Sequence, residues 1–136
     1  MEMNIGEVLD RYTIEARKVL YGHGDEEILR QIEQELRNRF GNIPAELFLA
    51  GARLGLANSA IAELEWQIRA GQDLSLEEIG RRAKAIRVLN GKRVDAKNWA
   101  GLVFDGKPAV IAHYGKGDDL PAAKLTFDMQ EPRCAR

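Results

Sequence analysis

Glu7 and Asp10 are the acidic residues whose spacing is most suggestive of chemistry. They lie three residues apart, so a helix would place both carboxylates on one face. Helical enzymes that hydrolyse nucleotides hold magnesium with such pairs, but they need a second acidic pair on another helix. The candidates for a second pair offer no clear counterpart with matching spacing: Glu26, Glu27, Glu33, Glu35, Glu77 and Glu78. The sequence therefore favours a capping residue and a salt-bridging carboxylate over a magnesium site.

A basic segment follows much later, between Arg81 and Lys97, where Asp95 is the lone acid. Arg93 and Lys97 are four residues apart and share a helix face. Together with Arg82, they predict an anion site for a sugar phosphate, a nucleotide or a nucleic acid. The charges of this segment lie on several sides of the helix, so a solvated face or a partnership with the acidic second helix is the simpler interpretation.

The other chemically versatile residues give no site. His23 lies in a glycine loop and His113 is far away in sequence, whereas a metal site needs several converging ligands. Neither a serine nor a cysteine is accompanied by a plausible base. The single cysteine, Cys134, excludes an intramolecular disulfide and is typical of a reducing cytoplasm. We therefore assign no catalytic residue, no metal site and no cofactor.

Composition describes an ordinary globular chain. Of its 136 residues, 45% are hydrophobic and 30% are charged, which suits one domain with a core. The net charge of -1 gives no global reason to expect nucleic acid as a partner. Since no run approaches the roughly 20 apolar residues that span a bilayer, and MEMNIGEVLDRY is unlike a secretory signal, we expect no membrane partner and a cytoplasmic location.

Apolar periodicity and capping residues predict a mainly α protein, a four-helix up-down bundle. The first helix begins after Asn4, which forms a capping box with Glu7, and the fourth begins after Ser75, which does so with Glu78. A short turn between the third and fourth helices predicts an antiparallel hairpin. The four predicted spans are residues 5–21, 25–40, 44–71 and 75–99.

Two Asn-Gly or Asp-Gly steps complicate the C-terminal third. Asn90-Gly91 could be a hairpin turn, but the spacing around it favours a continuous helix. After Trp99, the pattern predicts a β-hairpin of 101–104 and 107–114 around Asp105-Gly106, with a third strand at 124–129. The predicted organisation is a bundle over 1–98 and a β-rich appendage over 99–136 that packs on it and is not a separate domain.

The third predicted helix carries more apolar residues than one core-facing stripe requires. Its stripe runs from Leu47 to Ile68 with alternating spacings of three and four. Phe48, Leu56 and Trp66 lie off or beside it. Apolar surface left over in a small bundle tends to mark an interface. These three residues therefore predict contact with another copy of the chain or another protein.

Two segments resemble a known group of proteins. Residues 5–11 (IGEVLDR) are similar to the first helix, I-G-E-L-x-D-R, of small bacterial helical proteins classed as domains of unknown function. Residues 62–68 and 79–97, with Leu89-Asn90 and Arg93, resemble the paired helices that follow. The resemblance covers about residues 1–98 and implies an all-helical bacterial protein, some relatives of which lie near sugar-transfer genes. It implies no activity, and this chain departs from the pattern at Gly91.

Two functions follow as hypotheses. The favoured one is a non-enzymatic interaction or self-association module. The alternative is a small enzyme or accessory subunit that binds a phosphorylated sugar or nucleotide, using Glu7 and Asp10 against Arg82, Arg93 and Lys97. A converging polar pocket between the first and fourth helices would support this alternative.

Overall fold

The computed structural model describes residues 2–70 and 73–110 of the chain. Within them the protein is mainly α: four helices pack together and no strand is present. The helices are α1 (Ile5–Leu20), α2 (Glu26–Arg39), α3 (Ala45–Ala70) and α4 (Leu76–Asp105). All four lie where the sequence predicts helices.

Side-chain caps explain where three of the helices begin. The Asn4 side chain accepts a hydrogen bond from the Gly6 amide at 2.9 Å, and the Ser75 hydroxyl accepts one from the Glu78 amide at 3.1 Å. Asp25 does the same for α2. Each of these bonds satisfies an amide that has no partner within its own helix. The predicted caps at Asn4 and Ser75 are confirmed.

The predicted β-hairpin after Trp99 is wrong in its first half. Residues 101–104 continue α4, which ends only at Asp105, so the bundle does not stop at residue 98. Gly106 has φ 71° and caps the helix. Its backbone N–H donates a hydrogen bond to the carbonyl oxygen of Gly101. An Asp-Gly step serves a helix end as well as a hairpin because both need a left-handed glycine. The remainder of the predicted hairpin from 111 onward and the strand at 124–129 lie outside the described residues.

Contacts along the helices fix their relative directions. Arg82 near the start of α4 bonds Gln67 near the end of α3, while Leu89 packs on Leu64 one level further in. The two helices therefore run antiparallel, as the short connection predicts. α1 packs on both α3 and α4, and α2 packs against α1.

Two buried clusters form the core. The larger one joins all four helices, and Phe40 at the end of α2 meets Phe104 of α4 edge-on at 5.3 Å. The smaller one lies between α3 and α4 around Leu64, which is fully buried, whereas Ile61 is only partly buried. The larger cluster contains Ile5, Val8, Leu9, Leu36, Leu47, Ala50, Leu54, Ala96 and Ala100.

Glycines let the first and last described segments cross closely. A Cβ at Gly6 would clash with the carbonyl oxygen of Lys97 in α4, and one at Gly101 would crowd the Lys107 carbonyl oxygen and Asn4. The chain after α4 turns back over this crossing, where the Asn4 side chain donates to the Lys107 carbonyl at 3.1 Å. Glycine is needed here because no side chain fits between the backbones.

α3 is apolar on both its covered and its outer side. The expectation that no run approaches the length of a membrane span is wrong by this measure, because α3, with its 26 residues, is long and apolar enough to cross a membrane by length and composition; a third of the most apolar stretch is buried inside the protein. A core helix passes the same test, and the buried residues of α3 pack on α1 and α4. Helices that are hydrophobic all round are ordinarily covered on every side, which makes the outer side of α3 conspicuous.

Candidate functional site

The predicted acidic pair and two of the three predicted basic residues meet each other. We call Glu7, Asp10, Arg93 and Lys97 the ionic cluster. Arg93 of α4 donates two hydrogen bonds to Asp10 of α1, from Nε to Oδ1 at 2.9 Å and from Nη2 to Oδ2 at 2.7 Å. The Lys97 Nζ lies 2.8 Å from Glu7 Oε1 and 3.5 Å from Asp10 Oδ2. Two acids and two bases thus neutralise each other between α1 and α4.

α3 contributes polar groups to the same place. The Asn58 Nδ2 lies 2.9 Å from both Asp10 Oδ1 and Thr13 Oγ1, and Thr13 donates to the Asp10 carbonyl. Asp10, Asn58 and Lys97 are all less than 9% exposed. Buried asparagines often fix helix register, and Asn58 joins α3 to the α1–α4 pair in this way.

The surroundings of Asp10 keep it ionised. Burial alone raises the pKa of this carboxyl, but hydrogen bonds from Arg93 and Asn58, with the charges of Arg93 and Lys97, lower it further than burial raises it. The hydrogen bond to Asp10 raises the pKa of Arg93, against burial. The Asp10–Arg93 pair is consequently ionised at neutral pH.

This arrangement leaves little capacity for an incoming anion. Both oxygens of Asp10 and the facing nitrogens of Arg93 and Lys97 are already engaged with one another. Arg82 does not join them, because its Nε donates to Gln67 at 2.9 Å, farther along the α3–α4 hairpin. The five residues of the enzyme hypothesis converge in part, but on each other and not around an open pocket.

The predicted interface residues have the opposite character. Phe48, Leu56 and Trp66 are 68%, 60% and 60% exposed, all on α3. Leu20 and Tyr21 at the end of α1 are also exposed, at 78% and 64%. Among the described residues, the exposed aromatic side chains Phe48, Trp66 and Tyr21 lie on α3 and at the end of α1, although other apolar residues, Leu76 of α4 among them, are exposed elsewhere.

Between α1 and α3 lies an open groove of about 560 Å³, which we call the α1–α3 groove. Small residues make up much of its lining, and Arg17, also in the lining, stacks on Tyr21 with its guanidinium carbon 4.7 Å from the ring centroid. The lining residues are Thr13, Ala16, Arg17, Leu20, Tyr21, Ala52, Gly55, Leu56 and Ser59. Its mainly apolar lining suits a hydrophobic side chain better than a phosphate.

Sequence reasoning missed a second polar junction, at the other end of α1. Asp105 accepts the Ile5 amide at 2.6 Å and lies 3.9 Å from Arg39, which also pairs with Glu35 at 2.7 Å and donates to the Met3 carbonyl. These residues tie the start of α1 to the ends of α2 and α4. Helical spacing links only Glu35 to Arg39 (i, i+4); no local signal links Asp105 to either.

Asn98 was also missed. It is fully buried, and its Oδ1 accepts the Val110 amide at 2.7 Å, while its Nδ2 has no hydrogen-bond partner in the structure as described. Asn98 holds the returning chain against α4. No three metal-binding side chains of the described segments, His23 included, lie close enough to hold an ion.

Comparisons of the chain with protein-family models, with curated proteins and with solved structures find no match. The resemblance of residues 1–98 to small bacterial helical proteins stays a prediction.

Proposed function

We propose that this protein is a non-enzymatic helical module that works by self-association. The observation that carries the proposal is the exposure of Phe48, Leu56 and Trp66 on the outer side of α3, whose inner side is packed against α1 and α4. Exposed apolar patches of this kind mark interaction surfaces in soluble proteins.

The ionic cluster supports the same choice between the two hypotheses. An anion would have to displace Asp10 from Arg93 and Lys97, leaving a buried carboxylate without its counter-charges. The groove, by contrast, offers apolar lining that is open to a partner. An interaction module therefore explains both regions, whereas an enzyme acting on a phosphorylated sugar or nucleotide explains neither.

The finer features predicted from the sequence belong to this proposal. The protein acts in a bacterial cytoplasm and its helices form an up-down bundle, while the predicted appendage beyond residue 110 lies outside the described residues. Its partner is another copy of the chain before any other protein, membrane or nucleic acid.

The proposal is tested by light scattering across a range of protein concentrations. The wild-type mass should rise from one chain to two, and Leu56→Ser should remain monomeric at concentrations where the wild type is dimeric. Val88→Ser is the matched control, because Val88 is 54% exposed but lies on α4 outside the groove. This control should associate as the wild type does.

A wild type that stays monomeric at the highest concentration would overturn self-association. Equal loss in both variants would show that the α3 surface is not the contact. Sedimentation of the protein with lipid vesicles, abolished by Leu56→Ser, would replace the proposal with membrane binding. Saturable stabilisation by a sugar phosphate that is lost in Arg93→Ala would revive the enzyme hypothesis.

A further inference from the structure

Six of the exposed residues of α3 share one side of the helix in a nearly palindromic pattern, which we call the outer stripe. Its members are spaced four, four, three, four and three residues apart, so they cover an arc of about 80° on one side of the helix. They are Phe48, Ala52, Leu56, Ser59, Glu63 and Trp66, all exposed. A large aromatic residue stands at each end, and a leucine between small residues lies near the middle.

We infer that two copies pair through these stripes with their α3 helices antiparallel, about a twofold axis between Ala57 and Asn58; this inference rests on the proposed self-association. Such an axis places each residue i opposite residue 115 − i of the partner. Leu56 then meets Ser59 of the second copy, and Ala52 meets Glu63. Phe48 of one copy comes level with Trp66–Gln67 of the other, so the aromatic ends adjoin.

The α1–α3 groove provides space for this pairing. Thr13 lies next to Gly55, where a Cβ would meet its Cγ2 at 3.8 Å, and Ala16 and Ser59 both line the groove beside them. The partner's leucine at position 56, opposite Ser59, therefore enters the groove over a floor of alanine, glycine and serine. A large side chain set among small ones is the complementarity that helix packing requires.

Charge distinguishes the two possible directions. Glu63 is the only charged residue of the outer stripe. A parallel pair would set Glu63 against Glu63 in the apolar contact, and like charges repel there. The antiparallel pair moves the two carboxylates apart by 11 residues, about 16 Å along the helix. It also brings each to the level of Ala52 and Arg53.

The exposed apolar area is sufficient for a dimer. An aromatic side chain can bury about 150–250 Å², so Phe48, Trp66 and Tyr21 at 60–68% exposure each offer roughly 100–150 Å². With Leu56 and Leu20 added, the two copies together reach about 1,200 Å², the lower end of the range for stable specific interfaces.

Distances between spin labels test the direction of pairing. Glu46 and Arg69 are exposed, lie at the two ends of α3 and flank the stripe without belonging to it. Each is replaced by a labelled cysteine in a Cys134→Ser background. In a dimer of two copies labelled at 46, the labels should be about 35 Å apart along the helix. In a mixture of copies labelled at 46 and at 69, a new distance of about 10–20 Å should appear, since positions 46 and 69 are level across the axis.

The reversed pattern, short for the 46–46 pair and long for the mixed pair, would overturn the antiparallel inference while self-association stood. Long distances in both samples would show that the dimer uses another surface. A labelled protein that is monomeric by light scattering, alongside an unlabelled wild type that is also monomeric, would remove the proposed function and this inference together.

Discussion

The ionic cluster and the α1–α3 groove are two places where α1 meets its neighbours. The first is polar and buried, and the second is mainly apolar and open to solvent. At Asp10, α1 meets α3 and α4 through buried charges that are fully paired. One to three turns later, residues of α1 from Thr13 to Tyr21 and residues of α3 line a mainly apolar groove that is open to solvent. The polar contact joins three helices of the fold, whereas the apolar groove has no covering element among the described residues.

This difference is the opposite of what residue type alone would suggest about where a ligand or partner binds. Charged residues attract functional hypotheses, but a buried charge must be paired, and a paired charge has no spare capacity for a ligand. Exposed apolar residues attract no chemistry, yet they are the groups that a partner would cover with a gain in free energy. In this protein the charged residues with suggestive spacing are paired with each other, and several large apolar residues of α3 are exposed.

The largest predicted effect breaks the ionic cluster. Asp10→Asn keeps the shape of the side chain but leaves Arg93 and Lys97 with one carboxylate instead of two. Because both cations are largely buried, and because the amide also turns an N–H donor toward them where protonation would leave an acceptor oxygen, the free energy of unfolding should fall by about 3–5 kcal/mol. Glu26→Gln is the control: the Glu26–Arg30 pair lies on the surface, at 3.4 Å, and its loss should change stability by less than about 1 kcal/mol.

Urea unfolding of both variants at neutral pH gives the two values. A loss in Asp10→Asn no greater than that in Glu26→Gln would mean that the cluster contributes no more than a surface pair, and the contrast between the two regions would disappear.

The helices were predictable because their signals are local. Asn4 and Ser75 cap helices through amides two or three residues away, so the sequence around them contains the whole interaction. The end of α4 was not, because Asp105-Gly106 satisfies a helix cap and a hairpin turn equally well. In the helical conformation, Asp105 contacts Ile5 and Arg39, which are both distant in sequence.

The site was half predictable for a related reason. Spacing of three or four residues put Glu7 with Asp10 and Arg93 with Lys97 on shared faces, and the structure agrees. That the two faces meet depends on packing between residues 83 positions apart, which no local pattern encodes. Phe48, Leu56 and Trp66 were identified by being surplus to a core stripe, and this depends only on helical periodicity.

A smaller effect compares the tight crossing of α1 with the open groove by the same substitution. Gly6→Ala should destabilise the protein by about 1–3 kcal/mol, because its Cβ would overlap the Lys97 backbone and force the helices apart. Gly55→Ala should be neutral or stabilising by up to about 1 kcal/mol, since alanine favours the helix and its Cβ would make an ordinary contact with Thr13.

Thermal unfolding of both alanine variants at one protein concentration measures the difference. A Gly55→Ala protein as unstable as Gly6→Ala would show that the groove floor is packed as tightly as the crossing, and therefore closed to a partner's side chain.

The smallest predicted effect is the pH dependence of stability that arises from Asp10. Burial opposes the interactions that lower its pKa, so the net lowering of the pKa is only the difference between the two. The folded pKa lies below the ordinary value of 3.8, so Asp10 stabilises the fold above that pH, and the contribution is lost as the pH falls through the folded pKa. Subtracting the unfolding free energy of Asp10→Asn from that of the wild type at each pH removes the other carboxylates from the comparison. This difference should be constant from pH 7 to about 4.5 and should shrink only below pH 3.8. If it shrinks between pH 6 and 5 instead, burial outweighs Arg93, Lys97 and Asn58, and the cluster is a strained site and not a satisfied one.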